Sequence, residues 1–421
     1  MVNTTEPARR TRIHEFLTQI QPGMRRLIAI GMVEVMAVGL YVSLLAPWYK
    51  SLGYESVAQG WLNSIVEITG AVVAVAGGVL ADKYGRKNMY TAGQLMRCAA
   101  IILLLSTGSL AGLVAVSVVR GLSVIQFPAR TAFIAGHTAK ETRATTLGIY
   151  QTASLVANIV APLAAGLMAD RFGVKPPLLL ALGLGVLAII MAIPIGRSED
   201  SPHSNRNTAQ AVNKASQTPG SGKLSLETLL AAGREMFEQS NRRLLVPLLI
   251  AFTANGLTNG GVNILLPFTI MDRFSTEYKA VTALSVVSSL GTALVMLIGG
   301  RIADVRGRRG IIVTTGLIMP VLLFSVFWIT ELWQVYALLM LGSMITNLAG
   351  PALMAAKMEA VDEEYRATWD GLVTGGSSLG SAMGYLVWGI MYQASYTWSW
   401  LAVIFLCFIQ VFCYHLALRP E

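Results

Sequence analysis

The sequence predicts an all-α polytopic membrane protein whose twelve transmembrane helices form two homologous six-helix halves. Three observations predict it: a composition too apolar for water, twelve apolar stretches of spanning length, and an internal repeat at one offset. Asp, Glu, Lys and Arg make up 13% of the 421 residues and hydrophobic residues 54%; a soluble domain carries roughly 25% charge. Mean hydropathy is +0.58. So few charges cannot cover a water-soluble chain of this length, which excludes an ordinary cytosolic enzyme. Cys98, Cys407 and Cys413 all lie inside apolar stretches and offer neither a disulfide framework nor a metal set. Arg9, Arg10, Arg12, Arg25 and Arg26 have no apolar core between them, so the first 26 residues do not read as a cleavable signal peptide.

A helix needs about 20 apolar residues to cross a bilayer. The stretches 27–49, 57–80, 89–107, 109–132, 144–168, 176–196, 243–271, 280–300, 310–330, 332–355, 367–391 and 396–418 meet that requirement. None shows the ten-residue alternation of a membrane β-barrel. The resulting organisation is a tail (1–26), a first half (27–196), a polar linker (197–242), a second half (243–418) and a short tail (419–421). The linker begins without apolar periodicity. Its second part fits a surface helix capped by Ser225, with more linker as the alternative. With the N-terminus inside, cytoplasmic segments hold 25 Lys and Arg and outer loops hold 5. That bias places both termini in the cytoplasm and the chain in the plasma (inner) membrane. It also accounts for the net charge of +9 without a nucleic-acid partner.

The halves share landmarks. GGVLADKYGRK at 77–87 matches GGRIADVRGRR at 299–309, and Pro128, Arg143 and Gly148 match Pro351, Arg366 and Gly371 at an offset of 223. Gly78, Asp82, Gly85, Arg86 and Lys87 form a G-x-x-x-D-x-x-G-R-K loop, echoed by Gly300, Asp304, Gly307, Arg308 and Arg309. Through this loop, the span count and the repeat, the sequence resembles the major facilitator superfamily. Gly85 suits the sharp turn between two helices. The resemblance implies that Asp82 latches the halves in the outward-open state against the start of helix 11, near Thr368, Trp369 and Asp370. Asp370 would set a like charge beside it. Gly148 to Gly166 is similar to a degraded form of the family's antiporter run, and small residues at that spacing equally serve close helix packing.

Four ionisable residues fall within spans: Glu34, Glu67, Arg97 and Arg120. Each costs on the order of 2.5–3.5 kcal/mol at mid-membrane. Their repeat counterparts, Gly256, Ser289, Met319 and Ser343, are uncharged, so the fold itself does not require the charges. Glu34 lies seven residues inside helix 1, about 10 Å deep. Since helices 1 and 4 of the family face the central cavity, Arg120 is the expected partner of Glu34 in a proton-coupling site. A fixed structural pair is the alternative. Glu67 is a second coupling or substrate-binding acid, and Arg97 reads as a snorkelling side chain. In the second half Asn255, Asn259 and Asn263 share a helical face, and Asn347 joins them as a substrate wall, with interhelical hydrogen bonding as the alternative.

The function expected from these residues is secondary active transport by alternating access. Its leading form is proton-coupled antiport exporting small lipophilic or cationic compounds, with sodium as the other candidate ion. Uptake or facilitated movement of a polar metabolite or lipid is the alternative within transport, and a non-transporting receptor is the alternative outside it. No nucleophile with its base and no phosphate loop is present, so an enzyme is not expected. The expected partners are a small-molecule substrate, the coupling ion and the bilayer. No cofactor, metal or nucleic acid is expected, and the chain is expected to be a monomer.

Overall fold

The computed structural model describes residues 22–126, 143–193, 242–306, 308–362 and 365–417. Each predicted span has its helix. The first half comprises α1 (Pro22–Ser51), α2 (Ser56–Tyr84), α3 (Arg86–Ser106), α4 (Leu110–Leu122), α5 (Arg143–Phe172) and α6 (Lys175–Ala192). The second comprises α7 (Arg242–Arg273), α8 (Tyr278–Arg306), α9 (Arg308–Phe324), α10 (Leu332–Glu359), α11 (Arg366–Ala394) and α12 (Tyr396–Ala417). The surface helix expected after Ser225 lies outside the described residues. Among the described residues, nine helices are long and apolar enough to cross a membrane, and α4 is a shorter apolar helix.

Local chemistry sets the helix ends. Gly85 joins α2 to α3 at φ +87°, a left-handed value that a side chain would strain. Ser109 caps α4 by accepting a hydrogen bond from the Gly112 amide at 3.3 Å. Glu331 and Gln334 form a capping box at the start of α10. Large apolar side chains such as Val72, Val321, Phe405 and Phe412 face outward, as lipid requires.

Packing repeats with the sequence. In the first half α1 lies against α5 and α6, α2 against α4, and α3 against α4 and α6. In the second, α7 lies against α11 and α12, α8 against α10, and α9 against α10 and α12. Each contact recurs six helices on. The halves meet where α2 packs on α11 and α5 on α8, which is again one contact and its repeat.

Among the described residues, α7 and α11 approach each other backbone to backbone. A Cβ on Gly256 would run into the Ser377 carbonyl oxygen, and one on Gly260 into that of Ser381. In return, Gly380 lies on the carbonyl of Thr253 and Gly384 on that of Leu257. Glycines four residues apart on both helices let the backbones touch. The Trp388 indole donates to the Leu257 carbonyl at 2.9 Å in the same seam. Gly380→Leu is therefore expected to lower stability by at least the roughly 1–3 kcal/mol typical of overpacking. Gly183→Ala, whose Cβ would meet nothing within 4 Å, is expected to leave thermal unfolding in detergent unchanged or slightly raised.

Candidate functional site

Two faces bound the site: the Ser51 face, where α1 ends and α2 begins, and the Gly85 face opposite. Between the halves lies a cavity of about 510 Å³. The first half contributes Ser43, Asn63, Arg120 and Asn158, and the second contributes Asn263, Ser285, Ser289 and Tyr385. Glu67 stands one turn from Asn63 on the same face of α2. It is half-buried and interacts electrostatically with Arg120 and Tyr385. Tyr385 and Asn263 line the same cavity from α11 and α7. Arg120 of α4 and Tyr385 of α11 thus line the cavity, and Glu67 of α2 stands within electrostatic reach of both, behind that lining.

Glu34 is elsewhere. Its Oε1 accepts from the Arg97 guanidinium at 3.1 Å, and its Oε2 from the Tyr90 hydroxyl at 3.1 Å. Gln94 donates to Tyr90 at 3.0 Å and accepts from Arg97 at 3.3 Å. Glu34 is 2% exposed and Arg97 4%. The expected pairing of Glu34 with Arg120 is thus corrected to a pairing with Arg97. Arg97 does not snorkel: it turns into the α1–α3 interface, where a carboxylate and an amide compensate its burial.

At the Gly85 face, Gly78, Asp82, Arg86, Asp304 and Arg308 sit on described helix backbone, but their side chains lie outside the described residues, as does Gly307 altogether. The start of α11 is described. Asp370 is paired with Lys357 of α10 at 2.5 Å. Lys357 also donates to Thr374 at 3.4 Å and stands 5.8 Å from the centre of the Phe252 ring. Its carbonyl accepts from the buried Trp369 indole at 3.0 Å. The like charge expected at Asp370 is therefore offset by an internal lysine, Lys357.

The Ser51 face is closed by bonds between the halves. Lys50 pairs with Asp272, which also accepts from the Tyr392 hydroxyl at 2.9 Å. Asp170, at the end of α5, accepts from the backbone amides of Tyr278 at 2.7 Å and Lys279 at 3.1 Å. It so caps the first turn of α8 from the opposite half, where a carboxylate also meets the positive end of the helix dipole. Ser56 donates to the Gly389 carbonyl at 2.8 Å, and Ser64 to that of Ala382 at 2.5 Å. None of these residues stood out in the sequence. One signal was present: Lys50 and Asp272 are 222 positions apart, so the bond joins repeat-equivalent positions of opposite charge.

The four asparagines expected to form a substrate wall do come together. All of Asn255, Asn259, Asn263 and Asn347 line a second pocket, of about 270 Å³, inside the second half. Only Asn263 also reaches the cavity between the halves. Asn259 donates to Asn255 at 2.9 Å, and Asn347 to Thr292 at 3.0 Å and to the Ser343 carbonyl at 2.8 Å. Interhelical bonding and pocket lining thus coexist. Phe268 and Trp388 are buried in the core beside this pocket.

The Major Facilitator Superfamily profile matches residues 27–253 and 248–421. The chain is 28% identical over 178 residues to the multi-drug resistance efflux pump PmrA of Streptococcus pneumoniae, covering 39% of this chain and 43% of the relative. It is 30% identical over 175 residues to the minor myo-inositol transporter IolF of Bacillus subtilis, covering 40% of each. The matches thus span less than half the length of these curated relatives. Among solved structures, the nucleoside transporter NupG superposes with a TM-score of 0.71 at 14% identity, over 95% of this chain and 100% of that one. A bacterial homologue of the human lysosomal transporter Spinster, inward-facing and unoccupied, gives 0.69 at 16% identity, over 94% and 96%.

Removing the Asp170 carboxylate leaves two amides of α8 without their cap. Asp170→Ala is expected to cost the closed Ser51 face about 1 kcal/mol, roughly a fivefold shift toward opening. Spin labels at Leu52 and Ser275 would report it as a larger population at long distance; an unchanged distribution would deny the clamp its role.

Proposed function

Because the chain belongs to the major facilitator superfamily, a family and fold of transporters rather than enzymes, we propose that it is a secondary active transporter working by alternating access. Its activity is proton-coupled antiport that exports small lipophilic or cationic compounds. It sits in the plasma membrane as a monomer, with the Gly85 face and both termini in the cytoplasm. The observation that carries the coupling is that Glu67, half-buried on α2 one turn from Asn63, lies within electrostatic reach of Arg120 and Tyr385, both of which line the cavity between the halves. Arg120 favours the ionised carboxylate and withdrawal from water favours the protonated one, so opening and closing the cavity tips Glu67 between them. A cationic substrate next to Arg120 is tolerated only when Glu67 is ionised, which makes proton and substrate alternate. The efflux pump PmrA among the relatives supports export.

Glu34 takes a different part. Its carboxylate is engaged by Arg97 and Tyr90 inside the bundle, and it holds α1 to α3. The closed Ser51 face belongs to the state in which the cavity communicates with the cytoplasm. The asparagines of the second half supply donors and acceptors without net charge. A second reading, uptake of an uncharged polar metabolite, is favoured by that uncharged lining and by the inositol transporter among the relatives.

Reconstituted in proteoliposomes under a pH gradient, the protein is expected to dissipate the gradient when tetraphenylphosphonium is added. Glu67→Gln is expected to abolish that flux with thermal stability unchanged. Glu34→Gln is expected to lower stability by several kcal/mol, within the ~3–5 kcal/mol of a broken buried pair, because Arg97 is left uncompensated. A stable Glu34→Gln protein that binds compound yet moves no protons would transfer the coupling role to Glu34. Gradient loss driven by inositol and not by the lipophilic cation would favour the uptake reading.

A further inference from the structure

The two halves share their helix contacts, but they do not fill the same space. In the first half, the region enclosed by α1, α3 and α6 is packed with the Glu34, Tyr90, Gln94 and Arg97 network. Adding 222 to those positions gives Gly256, Ile312, Gly316 and Met319. A carboxylate, a phenol, an amide and a guanidinium are replaced by two glycines and two apolar side chains, none of them charged. The last three of these counterparts line the 270 Å³ pocket of the second half. The fold therefore has no need of a hollow here, since the first half shows the same helix arrangement filled.

What lines the hollow is not what an apolar packing defect would show. Unplanned cavities in helix bundles are apolar. This one sets Asn255, Asn259, Asn347, Ser343, Thr315 and Gln410 into an otherwise apolar wall, with no charged residue among its lining. The Thr258 and Tyr414 hydroxyls, on residues 7% and 3% exposed, line it from α7 and α12 without a well-formed hydrogen bond among the described residues, their nearest polar neighbours being the Cys407 thiol and the Gln410 amide. A buried hydroxyl left unmatched costs about 1–3 kcal/mol, which a ligand carrying its own donors and acceptors would offset. The pocket is not isolated either. Val262, Asn263, Leu266, Ser288 and Leu339 belong to its wall and to that of the cavity between the halves. A molecule can so present a charged end to the cavity and an uncharged end to the pocket.

We propose that this pocket of the second half is a second binding compartment, which accepts the uncharged, hydrogen-bonding portion of a transported amphipathic compound. Resting on the transporter reading above, the proposal divides recognition between the halves. Charge is read by Glu67 and Arg120, and neutral polar groups are read by amides and hydroxyls behind α7. Compounds with only a lipophilic cation use the cavity alone. Compounds that carry amide and hydroxyl groups and no charge depend on the pocket.

The test is equilibrium binding to the purified full chain in lipid nanodiscs with two probes: tetraphenylphosphonium, a cation without donors or acceptors, and chloramphenicol, a neutral molecule with an amide and hydroxyls. Asn259→Leu removes an amide from the pocket wall, and Thr346→Phe fills the pocket from α10. Both variants are expected to weaken chloramphenicol at least tenfold while tetraphenylphosphonium stays within twofold. The retained cation affinity shows that the variants are folded. Chloramphenicol affinity unchanged in both variants, a parallel loss of both probes, or a wild-type protein that binds the cation and not chloramphenicol would each overturn the proposal and mark the pocket as a hydrated void. A wild-type protein that binds chloramphenicol through the pocket but not the cation would leave this inference standing and count against lipophilic-cation export.

Discussion

The contact of α7 with α11, backbone on backbone, is the constraint from which the rest of the arrangement follows. Gly256, Gly260, Gly380 and Gly384 each lie on a carbonyl of the facing helix, so these two helices have one register and one separation. α11 also carries the packing between halves: Gly60 of α2 lies on the Tyr385 carbonyl, and Gly389 lies on that of Ser56. Tyr385 is thereby held over the cavity, opposite Glu67 and Arg120. Asn255 and Asn259 of α7 face the second pocket together with residues of α8, α9, α10 and α12, while Asn263 also reaches the cavity where Tyr385 stands.

A duplicated topology has been put to two uses. The first half keeps its charges: Glu34 with Arg97 inside the bundle, and Glu67 with Arg120 at the cavity. The second half replaces all four by Gly256, Ser289, Met319 and Ser343 and lines its interior with amides and hydroxyls. Burying an ion pair brings little net stability, so the Glu34 cluster is best understood as fixing the place of α1 and α3. The proposed coupling therefore falls to Glu67 and Arg120, since Arg120 faces the cavity. Division of labour between the halves is thus visible in which polar groups are satisfied internally and which are left facing space.

The twelve helices and their pairing into halves were legible because hydrophobic length and a fixed repeat offset are properties of the chain alone. Gly85 was legible for the same reason: a turn of one residue between two helices needs a left-handed φ. The partner of Glu34 was not. Arg97 and Arg120 are both basic residues within spans, and only the rotation of α3 and α4 about their axes decides which one meets α1. Depth along the membrane was the wrong guide, since Arg97 lies near enough to the interface to snorkel yet points inward. Lys357 was not legible either, because a basic residue beside a cytoplasmic loop is accounted for by the charge bias alone, and only the packing of α10 on α11 shows its pairing with Asp370. The asparagine face was read correctly as a face, but a helix presents its side chains to a space whose owner the sequence cannot name.

The bond between Lys50 and Asp272 has a consequence for ancestry and engineering. Positions related by a two-fold axis meet their own copies near that axis. In a homodimer of two first halves, Lys50 would face another Lys50, and the face would repel itself. In a dimer of two second halves, aspartate would face aspartate. Only a pairing of unlike halves, in one chain or as two co-expressed pieces, lets opposite charges meet there. Separately produced halves of this protein should therefore assemble as heterodimers in preference to either homodimer, with the axis itself acting as the discriminator.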